Sequence, residues 1–411
     1  MTPSDPQLAR RLRLTDSVVV GLAAMIGAGI FAALAPAAAA AGQFLLIALA
    51  IAGVVAYCNA NSSARLAAVY PSSGGAYVFG RERLGEFWGF LAGWGFVVGK
   101  TASCAAMALT VGAYAWPEHA RIVAVITVIA VTAVNYAGVH KSARVARVIV
   151  GFVIAVLAVV VVLSFVEAGG PRLPEDLGTV GVAGVLQAAG LLFFAFAGYA
   201  RIATLGEEVR NPAKTIPRAV AIALSVTLCL YALVAVAVLS VLGAEGLAAA
   251  PDPLARAVAD YPGAEQLVRV GAVVAAAGAL LSLILGVSRT TFAMARDGHL
   301  PGTLATVHPR FRVPHHAELA IGAVVIALVL LTDLRGAIGF SSFAVLTYYL
   351  IANASAWTLS SRPHTRLIPA LGAGGCVVLA FTLPTASVAA GCTVLLLGAA
   401  IYRVRQRMRV N

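Results

Sequence analysis

The chain alternates between long apolar runs and short polar segments. A helix needs about 20 mostly apolar residues to cross a bilayer, and twelve stretches of the sequence meet this requirement. The predicted spans cover residues 16–41, 43–66, 85–114, 120–140, 146–167, 184–208, 216–242, 267–293, 317–333, 336–358, 367–384 and 386–402. The pattern predicts an all-α integral membrane protein with about twelve transmembrane helices.

The composition agrees with this class. Hydrophobic residues make up 61% of the chain and charged residues 11%, whereas soluble domains are roughly 45–50% apolar. A net charge of +12 would also suit nucleic-acid binding, but the basic residues lie in short clusters between the apolar runs. That arrangement is typical of membrane topology, so we expect a lipid bilayer around the protein and no nucleic-acid partner.

The basic residues are divided unequally between the two sides of the predicted bundle. Of the 29 lysines and arginines, 22 lie on one side, 5 on the other, and Lys100 and Arg201 fall within spans. Cytoplasmic loops carry the excess of positive charge, which predicts a plasma-membrane protein with both termini in the cytoplasm. The polar residues 1–15 lead directly into the first span, which favours an uncleaved N-terminus. The outer connections 167–181 and 243–265 are expected to be solvated loops.

Glycines interrupt the first predicted span at Gly27-Ala28-Gly29. Each glycine inside a helix costs roughly 1 kcal/mol relative to alanine, which favours a break here. A helix that restarts near Ile30 would point its N-terminal N–H groups at an anion such as a carboxylate. The alternative is that the three small residues form a packing face for a neighbouring helix.

A second interruption is predicted in the sixth span. Gly198 lies mid-span after a run of phenylalanines, Arg201 follows, and Asn211-Pro212 ends the segment. Glycine-interrupted spans at matching positions of two halves indicate an inverted-repeat transporter, with its site between them near the bilayer midplane. The alternative is that each interruption is a local packing kink.

Six ordered motifs resemble the amino acid–polyamine–organocation transporter superfamily, which shares the LeuT-like inverted-repeat fold. They are GAGIF (27–31), YPSSGGAYVFGRERLGEFWGFLAGW (70–94), NYAGVHKSAR (135–144), FFAFAGYARIATLGEEVRNPAKTIPRA (193–219), SRTTFAMARDGHLP (288–301) and SFAVLTYYLIANA (342–354). The resemblance implies a 5+5 inverted repeat with broken helices one and six. Its parts are a cytoplasmic N-terminal segment at 1–15, five-helix repeats at 16–167 and 184–358, two accessory helices at 367–402 and a basic tail at 403–411.

The resemblance also implies where an amino acid would bind. Its carboxylate would lie against the first break, its amino group against carbonyl groups on both sides of the site, and Phe194 or Phe196 would form an aromatic gate. The implied substrate-binding residues are Met25, Ile26, Gly27, Ala28, Gly29, Phe194, Ala195, Phe196, Ala197 and Gly198.

Departures from the family pattern bear on the substrate. Members that take cationic substrates often carry a glutamate shortly after the GW motif of the third span, where this chain has Gly99 followed by Lys100. No aspartate or glutamate is expected deep in any span, and a deep cation is costly without a counter-ion. We therefore expect a neutral amino acid. An anionic one comes second because of Lys100 and Arg201, and a cationic one or an amine comes after it.

Coupling is the least specified property. Proton-coupled members of the family tend to place a lysine in the fifth span, where this chain has Val153, and sodium coupling would need paired hydroxyls in the eighth span, where Ser282 stands alone. Lys100 and Arg201 are therefore the coupling candidates, with transport driven by protons or by exchange. An alternative for Lys100 is a purely structural role, in which it only donates hydrogen bonds to backbone carbonyls.

Other classes of protein find little support. No set of catalytic residues for a membrane enzyme is visible, and neither is a filter repeat for a channel, while a non-transporting amino acid sensor stays open. We expect no cofactor and no metal site, with His308, His315 and His316 as loop residues. The five cysteines are expected to be buried hydrophobes, because they lie in apolar runs without CxxC spacing. The oligomeric state cannot be inferred.

Overall fold

A computed structural model describes residues 12–71, 74–138, 143–172, 180–205, 208–360 and 362–410 of the 411-residue chain. Within these ranges the protein is all-helical, and no strand is present beyond one isolated parallel bridge between Leu12 and Val209. The helices are α1 (Leu14–Met25), α2 (Gly29–Ala41), α3 (Leu45–Val69), α4 (Ala76–Leu84), α5 (Glu86–Ala115), α6 (Ala120–Tyr136), α7 (Ala143–Ala168), α8 (Val182–Phe196), α9 (Ala200–Ala203), α10 (Pro212–Ala249), α11 (Pro253–Arg256), α12 (Pro262–Arg296), α13 (His315–Leu331), α14 (Leu334–Trp357), α15 (Pro363–Thr382) and α16 (Thr385–Val410).

Each of the twelve predicted spans coincides with helical structure, but length and apolarity support a smaller number. In the described part of the chain, ten helical stretches are long and apolar enough to cross a membrane. One of them, Gly29–Val69, runs through both α2 and α3, and the apolar helices Leu14–Met25 and His315–Leu331 are shorter than the rest. The protein is a multi-span membrane protein, and twelve crossings stay a prediction.

Several predicted features fall wholly or partly outside the described residues. They are most of the N-terminal segment, part of the turn after Tyr70, the end of the fourth predicted span, the middle of the first outer connection and the residues between Leu205 and Glu208.

Local sequence sets the helix boundaries. Proline occupies the first position of α10, α11, α12 and α15, where its missing N–H costs nothing. Asp333 caps α14 by accepting a hydrogen bond from the Gly336 N–H at 2.8 Å. Gly85, at φ 105°, makes the sharp turn that separates α4 from α5, a conformation that favours glycine.

The centre of the bundle is formed by α5 and α14. These two helices pack against each other, α5 also packs against α12, and α2 packs against α8. α5 and α14 are the most buried of the candidate spans, whereas only about a quarter of the residues in the apolar parts of α15 and α16 are buried. The two C-terminal helices therefore lie at the periphery, and the division of the chain into two five-helix repeats stays a prediction.

The second outer connection is partly built into the bundle, in contrast to the solvated loop expected from the sequence. The α10 stretch continues past a kink at Gly243, and Asp252, only 4% exposed, forms an ion pair with Arg269 at 2.6 Å. The Leu254 N–H faces the Tyr114 hydroxyl at 3.4 Å, and that hydroxyl donates to the Phe31 carbonyl at 3.3 Å. The short helix α11 in this connection packs against α12 and α2, so its apolar residues, such as Leu254, are buried in the core.

On the side predicted to be cytoplasmic, polar contacts join segments that are distant in sequence. The Tyr77 hydroxyl of α4 donates to Asp297 at 2.6 Å, beyond the end of α12, and Arg405 of α16 donates to the Gly298 carbonyl at 3.0 Å. Burial, and then the hydrogen bond to Asp297, raises the pKa of Tyr77, so this phenol stays a donor at neutral pH. Near the N-terminus, the Leu12 N–H donates to the Glu208 carbonyl at 3.0 Å, and the Arg210 N–H donates to the Leu12 carbonyl at 2.9 Å.

Candidate functional site

The first span is interrupted at the predicted glycines. α1 ends at Met25, and α2 begins at Gly29. Ile26 leaves helical geometry at φ −76° and ψ 9°, and its N–H still donates to the Leu22 carbonyl at 2.7 Å. The first N–H groups of any helix lack partners within that helix. The interruption therefore aims the start of α2 into the bundle as a set of donors suited to an anion.

The sixth predicted span also departs from a regular helix. Where the sequence suggested an unwound segment, the structure has a 3₁₀ turn, which is wound more tightly than an α-helix. α8 ends at Phe196, a 3₁₀ turn covers Ala197–Tyr199, and the short α9 follows. A 3₁₀ turn keeps its backbone groups paired locally, so it frees fewer carbonyls than an unwound segment would. The predicted ammonium site therefore has fewer free carbonyl groups from this span than the sequence suggested.

The two interruptions lie against each other. A Cβ atom added to Gly29 would lie 2.7 Å from the Cα of Ala195, and one added to Gly198 would overlap the Ala24 carbonyl. Only residues without a side chain allow two backbones to approach this closely. The structure thus brings together the start of α2 and the end of α8, the two segments from which the site was predicted.

The ten predicted substrate-binding residues share a buried environment. Nine are buried, and Gly198 is partly exposed. Phe194 retains 8% exposure, whereas Phe196 is fully buried with its ring 5.3 Å from that of Tyr231. Of the two gate candidates, only Phe194 therefore has a side chain with some exposed surface.

Tyr231, on α10, contacts both interruptions and was missed by the sequence reasoning. Its hydroxyl lies 2.5 Å from the Met25 carbonyl oxygen and 3.3 Å from that of Ala195. Since a hydroxyl has one proton to donate, it bridges the two carbonyls as a shared donor. A buried tyrosine usually finds a partner for its polar tip, but nothing in the sequence indicates which partner.

Lys100 also reaches the site. Its ammonium lies 3.4 Å from the Ala197 carbonyl, in the 3₁₀ turn, and the Tyr349 hydroxyl lies 3.4 Å from the same oxygen. The Lys100 side chain is 7% exposed. The contact matches the backbone-binding role that the sequence left open for this lysine, and it places a positive charge beside the predicted ammonium site.

The other coupling candidate lies in a different environment. The Arg201 side chain is exposed, although it follows the 3₁₀ turn by only two residues. Glu208 and Arg289 are the charged groups that act on it electrostatically. The two candidates therefore do not form one cluster, because Lys100 is enclosed within the bundle and Arg201 is not.

The eighth span presents alanine to the first interruption. A Cβ added to Gly27 would lie 2.7 Å from the Cβ of Ala279, with the Ala275 carbonyl close by. Ser282 is exposed and donates to the carbonyl of Gly278 in its own helix at 3.1 Å. Near Gly27, α12 thus places alanine residues and not the pair of hydroxyl groups that sodium coupling would need.

Glu318 is a second residue that the sequence reasoning missed. It lies one turn into α13 with 0% exposure, and neither carboxyl oxygen has a hydrogen-bond partner in the described part of the chain. The expectation of spans without deep carboxyl groups overlooked it because it is close to the predicted start of its span. Its position next to the polar linker made it resemble an interfacial residue.

Within the described ranges, no group of three or more His, Cys, Asp and Glu side chains is arranged to hold a metal ion. The expectation that three histidines are loop residues was only partly correct: His308 lies in the linker, but His315 and His316 form the start of α13. The His308 ring lies 5.1 Å from that of His315, which lies 4.1 Å from that of His316. The prediction for the cysteines was only partly correct. Three are buried, but Cys229 is exposed on the surface of α10 and Cys392 is partly exposed, because an apolar run in a membrane protein can also face lipid.

Comparisons with known proteins match nearly the whole chain. The amino acid permease family model matches residues 12–408. An uncharacterized transporter of Mycobacterium tuberculosis is 64% identical, with 98% of this chain and 94% of the relative covered. The branched-chain amino acid permease BcaP of Bacillus subtilis is 27% identical over 99% of this chain and 95% of the relative. The chloroplastic cationic amino acid transporter 7 of Arabidopsis thaliana is 30% identical over 85% of this chain and 66% of the relative.

Proposed function

We propose a function for this chain from one established premise: it belongs to the amino acid permease family, whose members are transporters and not enzymes. We infer that it moves a neutral amino acid across the plasma membrane by alternating access. The observation that carries this proposal is the contact between the two interrupted helices, where N–H donors of α2 lie beside carbonyl groups of α1 and α8.

An amino acid presents one anion and one cation a short distance apart, and this site offers a complement to each. The carboxylate would accept from the N–H groups at Gly27, Ala28 and Gly29. The amino group would donate to the carbonyls of Met25 and Ala195. Each of these oxygens has two lone pairs, so the contact with Tyr231 does not by itself exclude a ligand.

The charges around the site favour a neutral side chain. Lys100 places a cation beside the 3₁₀ turn, and none of the predicted site residues carries a carboxylate to balance a cationic substrate. One similar protein is named as a branched-chain amino acid permease and another as a cationic amino acid transporter. Membership of the family therefore does not distinguish a neutral from a cationic substrate. An anionic amino acid is the second candidate because of the same Lys100 charge.

The proposal is tested by uptake into liposomes that contain the purified protein. Radiolabelled leucine, alanine, glutamate, arginine and putrescine are compared, with protein-free liposomes as the control. We expect saturable uptake of a neutral amino acid. Preferential uptake of arginine or putrescine would overturn the proposed substrate. Binding of an amino acid without uptake of any would favour the sensor function.

A further inference from the structure

Glu318 is a buried ionisable residue that the proposed transport site does not use. Its side chain is enclosed at the start of α13, where this helix packs against α5, α6 and α12. Four residues further along α13, a Cβ added to Gly322 would lie 2.8 Å from the Thr132 hydroxyl of α6. The close approach of α6 and α13 leaves little space for water around the carboxyl group.

The helices packed around Glu318 carry several charged or titratable groups, of which Glu265, Arg269 and Arg296 of α12 and Arg121 of α6 have no electrostatic effect on its carboxyl group. Arg289 of α12 is exposed and acts electrostatically on the carboxyl. His315 and His316 lie on the same helix, and the Tyr136 ring of α6 lies 6.1 Å from that of His315. His308 lies in the preceding linker, 5.1 Å from His315. On α5 the titratable groups are Glu86, Lys100, Cys104 and Tyr114, and the 3₁₀ segment Gly302–Ala305 has none.

We propose that Glu318 is a proton-binding site of the transporter, protonated in the conformation described here and ionised when water reaches the junction of α6, α12 and α13. On opening, the O–H bond of the carboxylic acid breaks, the proton passes to water, and the carboxylate gains Arg289 as its partner. On closing, the carboxylate takes a proton back from water.

Physical chemistry favours the neutral form in the closed state. A carboxylate without hydrogen bonds is strongly destabilised when it is buried, and such groups become neutral instead. Both Glu318 oxygens lack a hydrogen-bond partner among the described residues. The Arg289 side chain reaches solvent, so its attraction for a carboxylate at Glu318 is screened and does not offset the cost of burying that charge.

Helix α12 connects this junction to the proposed substrate site. Ala279 of α12 lies against Gly27 in the first interruption, and Arg289, ten residues further along the same helix, acts on Glu318. A shift of α12 between two packed positions would therefore change both environments together. This part of the inference rests on the proposed transport function, whereas proton binding by Glu318 does not.

The first experiment tests proton binding without any transported substrate. Infrared difference spectra of the purified protein in liposomes are recorded across a pH titration, for wild type, Glu318→Gln and the matched control Glu118→Gln on the exposed outer surface. We expect the C=O band of a protonated carboxylic acid in the wild type and in Glu118→Gln, and its loss in Glu318→Gln. Persistence of the whole band in Glu318→Gln would overturn the proposal.

The second experiment tests the link to transport. Uptake is measured with and without an inward proton gradient, and exchange of internal for external amino acid is measured without one. We expect Glu318→Gln to retain exchange and to lose gradient-driven accumulation, while Glu118→Gln keeps both. Equal gradient dependence in wild type and Glu318→Gln would exclude the coupling role. Absence of all amino acid transport in the wild type would reject the transport function, while the infrared result still decides whether Glu318 binds a proton.

Discussion

At the scale of single residues, the absence of side chains at Gly29 and Gly198 allows the two interrupted helices to meet. Gly29 lies against the backbone of Ala195, and Gly198 lies against that of Ala24 and Met25. The sequence alone predicts that leucine at Gly27 or Gly29 abolishes substrate binding and leaves folding intact, because a side chain would fill the place of the carboxylate. The close packing shows that alanine is already a stringent substitution at Gly29, because there is no space for even one added methyl group.

We predict that Gly29→Ala weakens substrate binding by about 5- to 150-fold. Overpacking of this kind costs about 1–3 kcal/mol of folding stability. If the clash is relieved by moving the N–H groups that face the substrate, a loss of the same size from the binding free energy gives that range of affinity, and alanine also favours a continuous helix. The measurement is equilibrium binding of the amino acid identified in the uptake assay. Gly286→Ala is the matched control, since no atom lies within 4 Å of its added Cβ.

The site prediction is contradicted if Gly29→Ala binds with wild-type affinity while its thermal stability is unchanged. Gly27-Ala28-Gly29 would then act as a packing face, and the substrate would bind elsewhere. A variant that loses both binding and stability is distinguished by its lowered unfolding temperature. Gly27→Ala then supplies the second test, since the atom nearest to its added Cβ is the side-chain methyl group of Ala279, at 2.7 Å, and not a backbone atom.

Sequence reasoning located these glycines because glycine inside an apolar run conflicts with helix propensity. This conflict can be recognised from the order of the residues alone. It missed Tyr231 because a tyrosine in a span carries no local conflict, and its partners at Met25 and Ala195 are distant in sequence. It missed Glu318 because burial depends on the helices packed around a residue. Polar partners across a bundle are properties of the assembled fold.

At the scale of secondary structure, α5 is joined to the turn that follows α8. Lys100 donates to the Ala197 carbonyl, and Tyr349 of α14 approaches the same oxygen. The charge on Lys100 thus acts on the 3₁₀ turn itself. Losing a proton would leave a weaker donor for that carbonyl, since hydrogen bonds from charged donors are the stronger ones.

We predict that Lys100→Met abolishes proton-driven accumulation and leaves only gradient-independent exchange, provided that Lys100 supplies the coupling charge. Methionine retains the length of the side chain but has neither charge nor donor. Uptake of the neutral substrate is measured in vesicles with and without an inward proton gradient. Lys214→Met, on the exposed start of α10, is the matched control.

Equal gradient dependence in wild type and Lys100→Met would rule out the coupling role of this lysine. Lys100 would then serve only to hold the 3₁₀ turn. Combined with Glu318→Gln, the same assay assigns coupling to α5, to α13 or to both.

The elements themselves were largely predictable. A helix lies in every stretch of the chain where the sequence predicted a span, because apolar length is a strong signal. The form of the sixth-span interruption was not predictable, since a 3₁₀ turn and an unwound segment contain the same residues. The burial of Asp252 in an outer connection was also missed, because its partner Arg269 is supplied by the following helix.

At the scale of the whole molecule, the distribution of charge predicts how the bundle is oriented. The side with 22 basic residues should face the cytoplasm, and the side with 5 should face outward. The structure shows the helices and their packing, and the orientation of the termini stays a prediction.

We predict that Glu118→Cys reacts with a membrane-impermeant maleimide on intact cells, whereas Arg310→Cys reacts only after permeabilisation. Both side chains are exposed in the structure, so a lack of reaction reports sidedness and not burial. The five native cysteines are first replaced, because Cys229 is exposed. Labelling of Arg310→Cys from outside would contradict the predicted orientation, and labelling of both variants from outside would contradict the predicted number of spans between them.

The pairing of Leu12 with the segment Glu208–Arg210 has a mechanical consequence. Two backbone hydrogen bonds join the chain just before α1 to the chain just after α9. Both interrupted segments are thereby joined at the ends that are predicted to face the cytoplasm, while Gly198 against Ala24 joins them at the interruptions. Because they are joined at both places, we expect α1 and α9 to move together as one rigid body in any rearrangement of the proposed transport cycle.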